Sequence, residues 1–254
     1  MDRIKERYVD VKNPINKNQI SKISLEPDAV DCIVFWSKNP KPLLGKLRFL
    51  DEYAFYFQFT INPYDSDIET GLPPKKEIIE TFKMLSDKVG RQRVIWRYDP
   101  VLLNSRYTTA YHIDKFNEFA CQLKNYTEKV IFSFIDFYRK ISANVKVHGI
   151  TEITTDEKNT LAGNFSGIAK ENSFLIDTCA EDIDLSKFDI GRGKCIDGAL
   201  IAKITGRDFS VKKDKNQRTE CGCAASVDIG EYNSCTNGCI YCYANCGKNI
   251  RLVC

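Results

Sequence analysis

Histidine is nearly missing from this sequence: His112 and His148 are the only two in 254 residues, and neither lies in a recognisable nucleophile and acid pattern. That argues against hydrolysis through a histidine base, and it leaves a mixed cysteine and histidine zinc site short of ligands. Long apolar runs are absent too. Nothing approaches the roughly 20 residues that cross a bilayer, so no membrane association is expected. Met1-Asp2-Arg3-Ile4-Lys5-Glu6-Arg7 carries charges where a secretory signal needs an apolar run, so a cytoplasmic location is expected. The charge excess is small, 37 basic against 34 acidic residues for a net +3, and by itself does not support a nucleic-acid partner. No internal repeat, low-complexity tract or linker is evident. A single domain over residues 1–254 is expected, and 43% hydrophobic residues suffice for its core.

Cysteine is plentiful by contrast. Nine of the eleven cysteines, Cys179, Cys195, Cys221, Cys223, Cys235, Cys239, Cys242, Cys246 and Cys254, lie in the last third. In a reducing compartment such clustering favours metal over disulfides. Cys32 and Cys121 sit among apolar residues and read as inert core thiols. The densest group is Ser234-Cys235-Thr236-Asn237-Gly238-Cys239-Ile240-Tyr241-Cys242, a C-x3-C-x2-C array. Three thiolates from a short loop can hold three irons of a 4Fe-4S cubane and leave the fourth open. Three other readings stay open at this point: a zinc knuckle, a closed cluster with Cys246 as fourth ligand, and disulfides. Cys179, Cys195, Cys221 and Cys223 form a second set, four thiols sufficient for another iron-sulfur cluster or a zinc ion if the fold unites them.

Five short runs rich in β-branched and aromatic residues read as strands: Cys32 to Trp36, Phe55 to Thr60, Arg93 to Tyr98, Lys129 to Ile135 and Phe174 to Thr178. Amphipathic helices lie between them. Lys75 to Val89 carries an apolar stripe and stops at Gly90; Thr109 to Leu123 behaves alike; a third helix starts at Thr154, with Glu157 completing a capping box. A sixth strand is expected over Ser226 to Gly230, leading into the cysteine loop. Strands alternating with helices imply parallel βα units, hence an α/β fold, a TIM-like barrel, complete or partial, with an open doubly wound sheet as the alternative. Residues 179–223 read as an insertion or lid, and residues 226–254 as the cluster-binding segment.

In parallel α/β folds the reactive groups gather where strands end. Here those places hold Lys38 and Asn39, Asn62, Arg97 and Asp99, Ser133 and Asp136, and Glu181. Arg97 and Asp99 alternate with Trp96 and Tyr98, so they point to one side of their strand and form an ion pair if that side is the lumen. Arg97, Asp99 and Glu181 are candidate catalytic residues; Lys38, Asn39, Asn233 and Tyr241 are candidate cofactor contacts. The basic stretch from Lys212 to Arg218 is either solvated or lines a path for an anionic substrate.

The cysteine spacing, with Tyr241 before the third thiol, resembles the radical S-adenosylmethionine superfamily. Trp36-Ser37-Lys38-Asn39-Pro40, Trp96-Arg97-Tyr98-Asp99-Pro100, Thr178-Cys179-Ala180-Glu181, Gly193-Lys194-Cys195-Ile196-Asp197 and Asp228-Ile229-Gly230-Glu231-Tyr232-Asn233, with the loop and Tyr243-Ala244-Asn245 after it, resemble over nearly the whole chain a prokaryotic family catalogued as a domain of unknown function. That family is noted for a C-terminal cysteine cluster similar to the N-terminal one of radical S-adenosylmethionine enzymes. The resemblance implies that Cys235, Cys239 and Cys242 hold an open 4Fe-4S cluster, that S-adenosylmethionine binds the free iron, that Tyr241 packs by the adenine, and that a reductant such as ferredoxin or flavodoxin supplies the electron. The substrate is not implied. Because the cluster loop comes last, not first, a circular permutation of the barrel is expected. The Gly-Gly-Glu motif of such enzymes is not evident. The family pattern begins with a further strand and an Arg-Arg-Thr-Asp-like turn, whereas this chain starts in the helix expected to follow, which predicts a gap in the barrel. Two other functions remain: a non-catalytic iron-sulfur or zinc protein closed by Cys246, and a nucleic-acid repair or modification enzyme.

Overall fold

In the computed structural model, which describes residues 1–12, 18–208, 212–215 and 217–244, a short helix α1 (Asp2–Glu6) leads into an antiparallel pair, β1 (Tyr8–Lys12) and β2 (Ile20–Ser24). The parallel sheet follows: β3 (Ile33–Ser37), β4 (Phe55–Thr60), β5 (Val94–Val101), β6 (Lys129–Phe134), β7 (Leu175–Thr178) and the two-residue β8 (Gly191–Arg192). Helices α2 (Lys75–Val89), α3 (Thr109–Leu123), α4 (Ser142–Val147), α5 (Thr155–Glu171) and α6 (Gly198–Thr205) complete the chain. The capping box is formed, Thr154 accepting from the Glu157 amide while Glu157 accepts from that of Thr154.

Each strand lies parallel to the one before it, in the order β3-β4-β5-β6-β7-β8. The order never reverses, so the doubly wound alternative is overturned. A complete barrel is overturned as well, since β3 and β8 do not pair. Closing a small barrel takes about eight strands, and six, one of them two residues long, cover too little of the circle.

Side-chain alternation divides the sheet. One face presents Phe57, Phe59, Trp96, Tyr98, Phe132 and Phe134 to the apolar stripes of α2, α3 and α5. There Phe116 stacks on Phe165 at 4.1 Å between ring centroids and on Trp96 at 4.9 Å. The opposite face carries Tyr56, Ile95 and Ile131, covered by Ile201 of α6. Beyond that apolar patch, toward the C-terminal strand ends, the same face turns polar with Arg97 and Ser133. The segment 179–223 thus supplies a strand and a helix to the sheet.

Three other expectations fail. No strand forms over 226–230: Val227 is 60% exposed, leaving no apolar face to bury, and the Gly230 amide donates to Asp228 Oδ1 at 2.8 Å, which turns the chain. Cys121 is exposed on α3 instead of buried. Strand β5 does not stop at Tyr98 but runs through Pro100 to Val101, with an irregular register against β6. Among the described residues, no helix is long and apolar enough to cross a membrane.

A candidate site of two cysteine groups at the strand ends

Asn62 lies two residues past β4, and its side chain continues the ladder: Nδ2 donates to the Asp99 carbonyl at 2.8 Å, and Oδ1 accepts from the Asp99 amide at 2.7 Å. Asp99 is thereby fixed at the mouth, where Arg97 Nε donates to its Oδ2 at 2.9 Å and the Ser133 hydroxyl donates to its Oδ1. Burial alone would raise the Asp99 carboxyl; the Arg97 guanidinium and the Ser133 hydroxyl hold it below the usual range. Burial likewise opposes the Arg97 charge, and Asp99 with two neighbouring thiols outweighs it. Arg97 and Asp99 therefore form the expected ion pair on the polar face.

The cysteine loop docks beside this pair. Its backbone runs against the segment after β4, with Ile240 N–H donating to Ile68 O at 3.0 Å, Gly71 N–H to Asn237 O at 2.8 Å, and Thr70 Oγ1 to Gly238 O at 3.1 Å. Gly71 is required by that approach, because a Cβ there would lie 2.5 Å from Thr236 O. Ile240 plugs into a cluster with Tyr64, Ile68, Leu102 and Ile141, while Asn144 Nδ2 donates to Ile240 O at 2.7 Å. Beneath the loop lies Glu69, 1% exposed. It accepts from Lys38 Nζ at 3.0 Å, from Lys75 Nζ, and from the Tyr241 hydroxyl, which itself accepts from Asn62 Nδ2 at 3.0 Å. Burial works to raise this carboxyl, and Lys38 and Lys75 overcome it, leaving Glu69 below the ordinary range and charged.

Of the candidate cofactor contacts, Tyr241 anchors the loop through its hydroxyl, and Lys38 is tied to Glu69 with Nζ 5.3 Å from the Tyr241 ring centroid. Asn39 shapes its own turn, Oδ1 accepting from Lys41 N–H at 3.3 Å. Asn233, at φ 62°, closes the loop's base by donating its amide to Ala244 O at 3.1 Å. Cys242 N–H donates to Cys239 O at 3.1 Å, placing these two on one tight turn; burial pushes the Cys239 thiol up to about 11. Cys235 is exposed at the other limb. Cys246, Cys254 and Asn245 lie outside the described residues. No disulfide joins the nine described cysteines. Among the described residues, no three or more His, Cys, Asp or Glu side chains stand as a ready-made metal site.

Of the second cysteine group, Cys179, Cys195 and Cys223 lie against one another. Cys179 at the exit of β7 and Cys195 before α6 have sulfurs 3.4 Å apart, and Arg97 Nη1 donates to Cys195 Sγ at 3.0 Å. Cys223 Sγ accepts from the amides of Cys195 at 3.1 Å and Ile196 at 3.4 Å. The hydrogen bond from Cys195 lowers the Cys179 thiol to about 6, and the same partner lowers Cys223 to about 5, while Cys195 itself is pushed up.

Glu181 faces a cleft of about 240 Å³ that also holds Asp136, Lys158 and Arg218. Burial pushes its carboxyl up to about 7, although Oε1 accepts from the Phe134 amide at 2.8 Å. A carboxyl with that value can exchange a proton near neutrality. His112 is spent in the core, its ring nitrogens 2.9 Å from the Tyr98 hydroxyl and 2.9 Å from Leu102 O, and burial lowers it to about 4.

Sequence reasoning missed Glu69 and Lys75. Neither stands at a strand end or in a motif, and only the docking of the loop buries the carboxylate.

Fold and site together define a mixed α/β protein with an open parallel sheet, its polar groups at the C-terminal strand ends and its thiols on the loops beyond them. The chain belongs to the family described as Domain of unknown function (DUF1848), which matches residues 1–244. No curated protein and no solved structure matches the chain.

Proposed function

We propose that this protein is a radical S-adenosylmethionine enzyme acting on an unidentified substrate, its sheet a partial, circularly permuted barrel. The observation that carries the proposal is the docking of the Cys235, Cys239 and Cys242 loop onto the C-terminal ends of parallel strands through Glu69, Tyr241 and Asn62. The donor set fits a cubane with one open iron: three thiols on a short loop, two of them on one turn. Such a loop gathers its thiolates when the cluster binds, since metal binding and local folding are coupled. The cluster would supply one-electron cleavage of bound S-adenosylmethionine to a 5'-deoxyadenosyl radical, chemistry that belongs to the cofactor.

The chain's own residues have separate tasks. Glu69 holds Tyr241 and so sets the height of the loop above the strands. Lys38 and Lys75 keep Glu69 ionised. Arg97 and Asp99 present a fixed charge pair at the mouth, suited to orienting a polar substrate, and Glu181 can hold or accept a proton in the cleft it shares with Asp136 and Lys158. A cytoplasmic setting and a ferredoxin or flavodoxin as reductant belong to the same proposal.

The test is anaerobic reconstitution with iron and sulfide, reduction, and addition of S-adenosylmethionine. Production of 5'-deoxyadenosine is expected, lost in Cys239→Ala and kept in Cys246→Ala. If Cys246→Ala loses the cluster as fully as Cys239→Ala, the site is closed and the protein is a non-catalytic metal protein.

A further inference from the structure

The four thiols around Cys195 are unused by the proposed chemistry, and they come from three separate parts of the chain. Cys179 leaves β7, its amide donating to Phe132 O at 3.0 Å. Cys195 is drawn against that strand because Gly193 N–H donates to Thr178 O at 2.7 Å, and a Cβ at Gly193 would lie 3.0 Å from the same oxygen. Tyr56 and Gln58 of the sheet both donate to the Cys195 carbonyl, at 2.6 and 3.0 Å. Cys223 is set by Ala224 N–H donating to Ile196 O at 3.0 Å and by Asp214 N–H donating to the Cys223 carbonyl at 2.9 Å. Cys221, 7% exposed, follows two residues earlier. These backbone connections bring Cys179, Cys195 and Cys223 together on the polar face of the sheet, Cys179 and Cys195 through their sulfurs and Cys223 through the Cys195 amide that donates to its Sγ, with Cys221 two residues before Cys223.

We propose that Cys179, Cys195, Cys221 and Cys223 bind one thiophilic divalent ion, zinc or ferrous iron, as a tetrahedral tetrathiolate site separate from the C-terminal loop. The close approach of Cys179 and Cys195 favours a single ion over a second cubane. Ligands about 2.3 Å from a tetrahedral ion lie about 3.8 Å apart, so the 3.4 Å contact between Cys179 and Cys195 needs only a slight opening, whereas a cubane would hold its thiolates farther apart. The surroundings suit a thiolate set. Two amides already donate to Cys223 Sγ, and the Arg97 guanidinium donates to Cys195 Sγ, which partly offsets the added negative charge. Binding releases up to four thiol protons to solvent as four metal-sulfur bonds form. The ion would staple the β7 exit, the start of α6 and the strip around Cys223 to the sheet, holding the floor beside Arg97 and Asp99.

The experiment uses the full chain carrying Cys235→Ser, Cys239→Ser and Cys242→Ser, which removes the proposed cluster and makes the result independent of it. Metal analysis after expression with zinc should find about one ion per chain, falling at least tenfold when Cys195→Ser or Cys223→Ser is added. Cobalt(II) loading should give the intense charge-transfer and visible bands of a tetrahedral thiolate site. In the unsubstituted chain, alkylation mapped by mass spectrometry should spare these four cysteines until a chelator is added, a readout that does not require any variant to fold. Four irons with sulfide in the triple variant, metal unchanged by Cys195→Ser, or all four thiols alkylated at once in zinc-loaded protein would each overturn the proposal.

Discussion

Replacing Glu69 by Gln tests the architecture of the cysteine loop. The carboxylate is 1% exposed and faces two ammonium groups, Lys38 and Lys75, whose side chains keep 16% and 20% exposure. Removing one partner of a buried pair costs ~3–5 kcal/mol because the remaining charge is left uncompensated. Both lysines retain some solvent, so the lower end applies, about 3 kcal/mol. In a chain of this size each kcal/mol moves the thermal midpoint by roughly 2–4 °C, giving a loss of roughly 6–12 °C. The pH dependence has a definite sign. Glu69 is held below the ordinary carboxyl range, so its contribution is present above the unfolded value of about 4.3 and is lost as pH falls through the folded value. The difference between wild type and Glu69→Gln should therefore be constant from neutral down to about pH 5 and shrink in more acidic buffer. Calorimetry supplies the midpoints, and amide hydrogen exchange localises the effect. The amides of Ile240 and Gly71, which bond across the loop contact, should exchange at least tenfold faster, equivalent to about 1.4 kcal/mol of lost protection. A midpoint change under ~2 °C with unchanged exchange at both amides would refute the claim that Glu69 holds the loop down.

Gly71→Ala should displace the loop without touching any charge, because its Cβ meets Thr236 O at 2.5 Å; faster exchange at Ile240 with an intact core checks this. Phe165→Ala should cost ~3–5 kcal/mol by opening a cavity where the ring stacks on Phe116, measured by denaturant unfolding, and a loss under ~1 kcal/mol would show that α5 does not complete the core. A carbon-13 titration of Glu181 should show a midpoint of about 7. Since that value is raised above the ordinary one, ionising Glu181 penalises the fold increasingly from about pH 4.5 to 7, and Glu181→Gln should remove this slope and leave the protein more stable than wild type at pH 8.

Local pattern alone determined much of this protein. The apolar stripe of Lys75–Val89 before Gly90, that of Thr109–Leu123, and the pairing of Thr154 with Glu157 set helices found within a residue of their expected bounds. The first five parallel strands were legible for the same reason: a strand or helix buried on a known face repeats that face in its own sequence. The alternation of Arg97 and Asp99 likewise showed that they share a side. Tertiary structure alone decided whether six strands close into a ring, because closure depends on the arc and stagger of the whole sheet. It decided that residues 226–230 join no sheet, that Cys121 faces water, and that Glu69 is buried under a loop about 170 residues distant. The meeting of Cys179, Cys195 and Cys223 is of the same kind, since spacing names the donors, and only contacts between distant segments bring their sulfurs together.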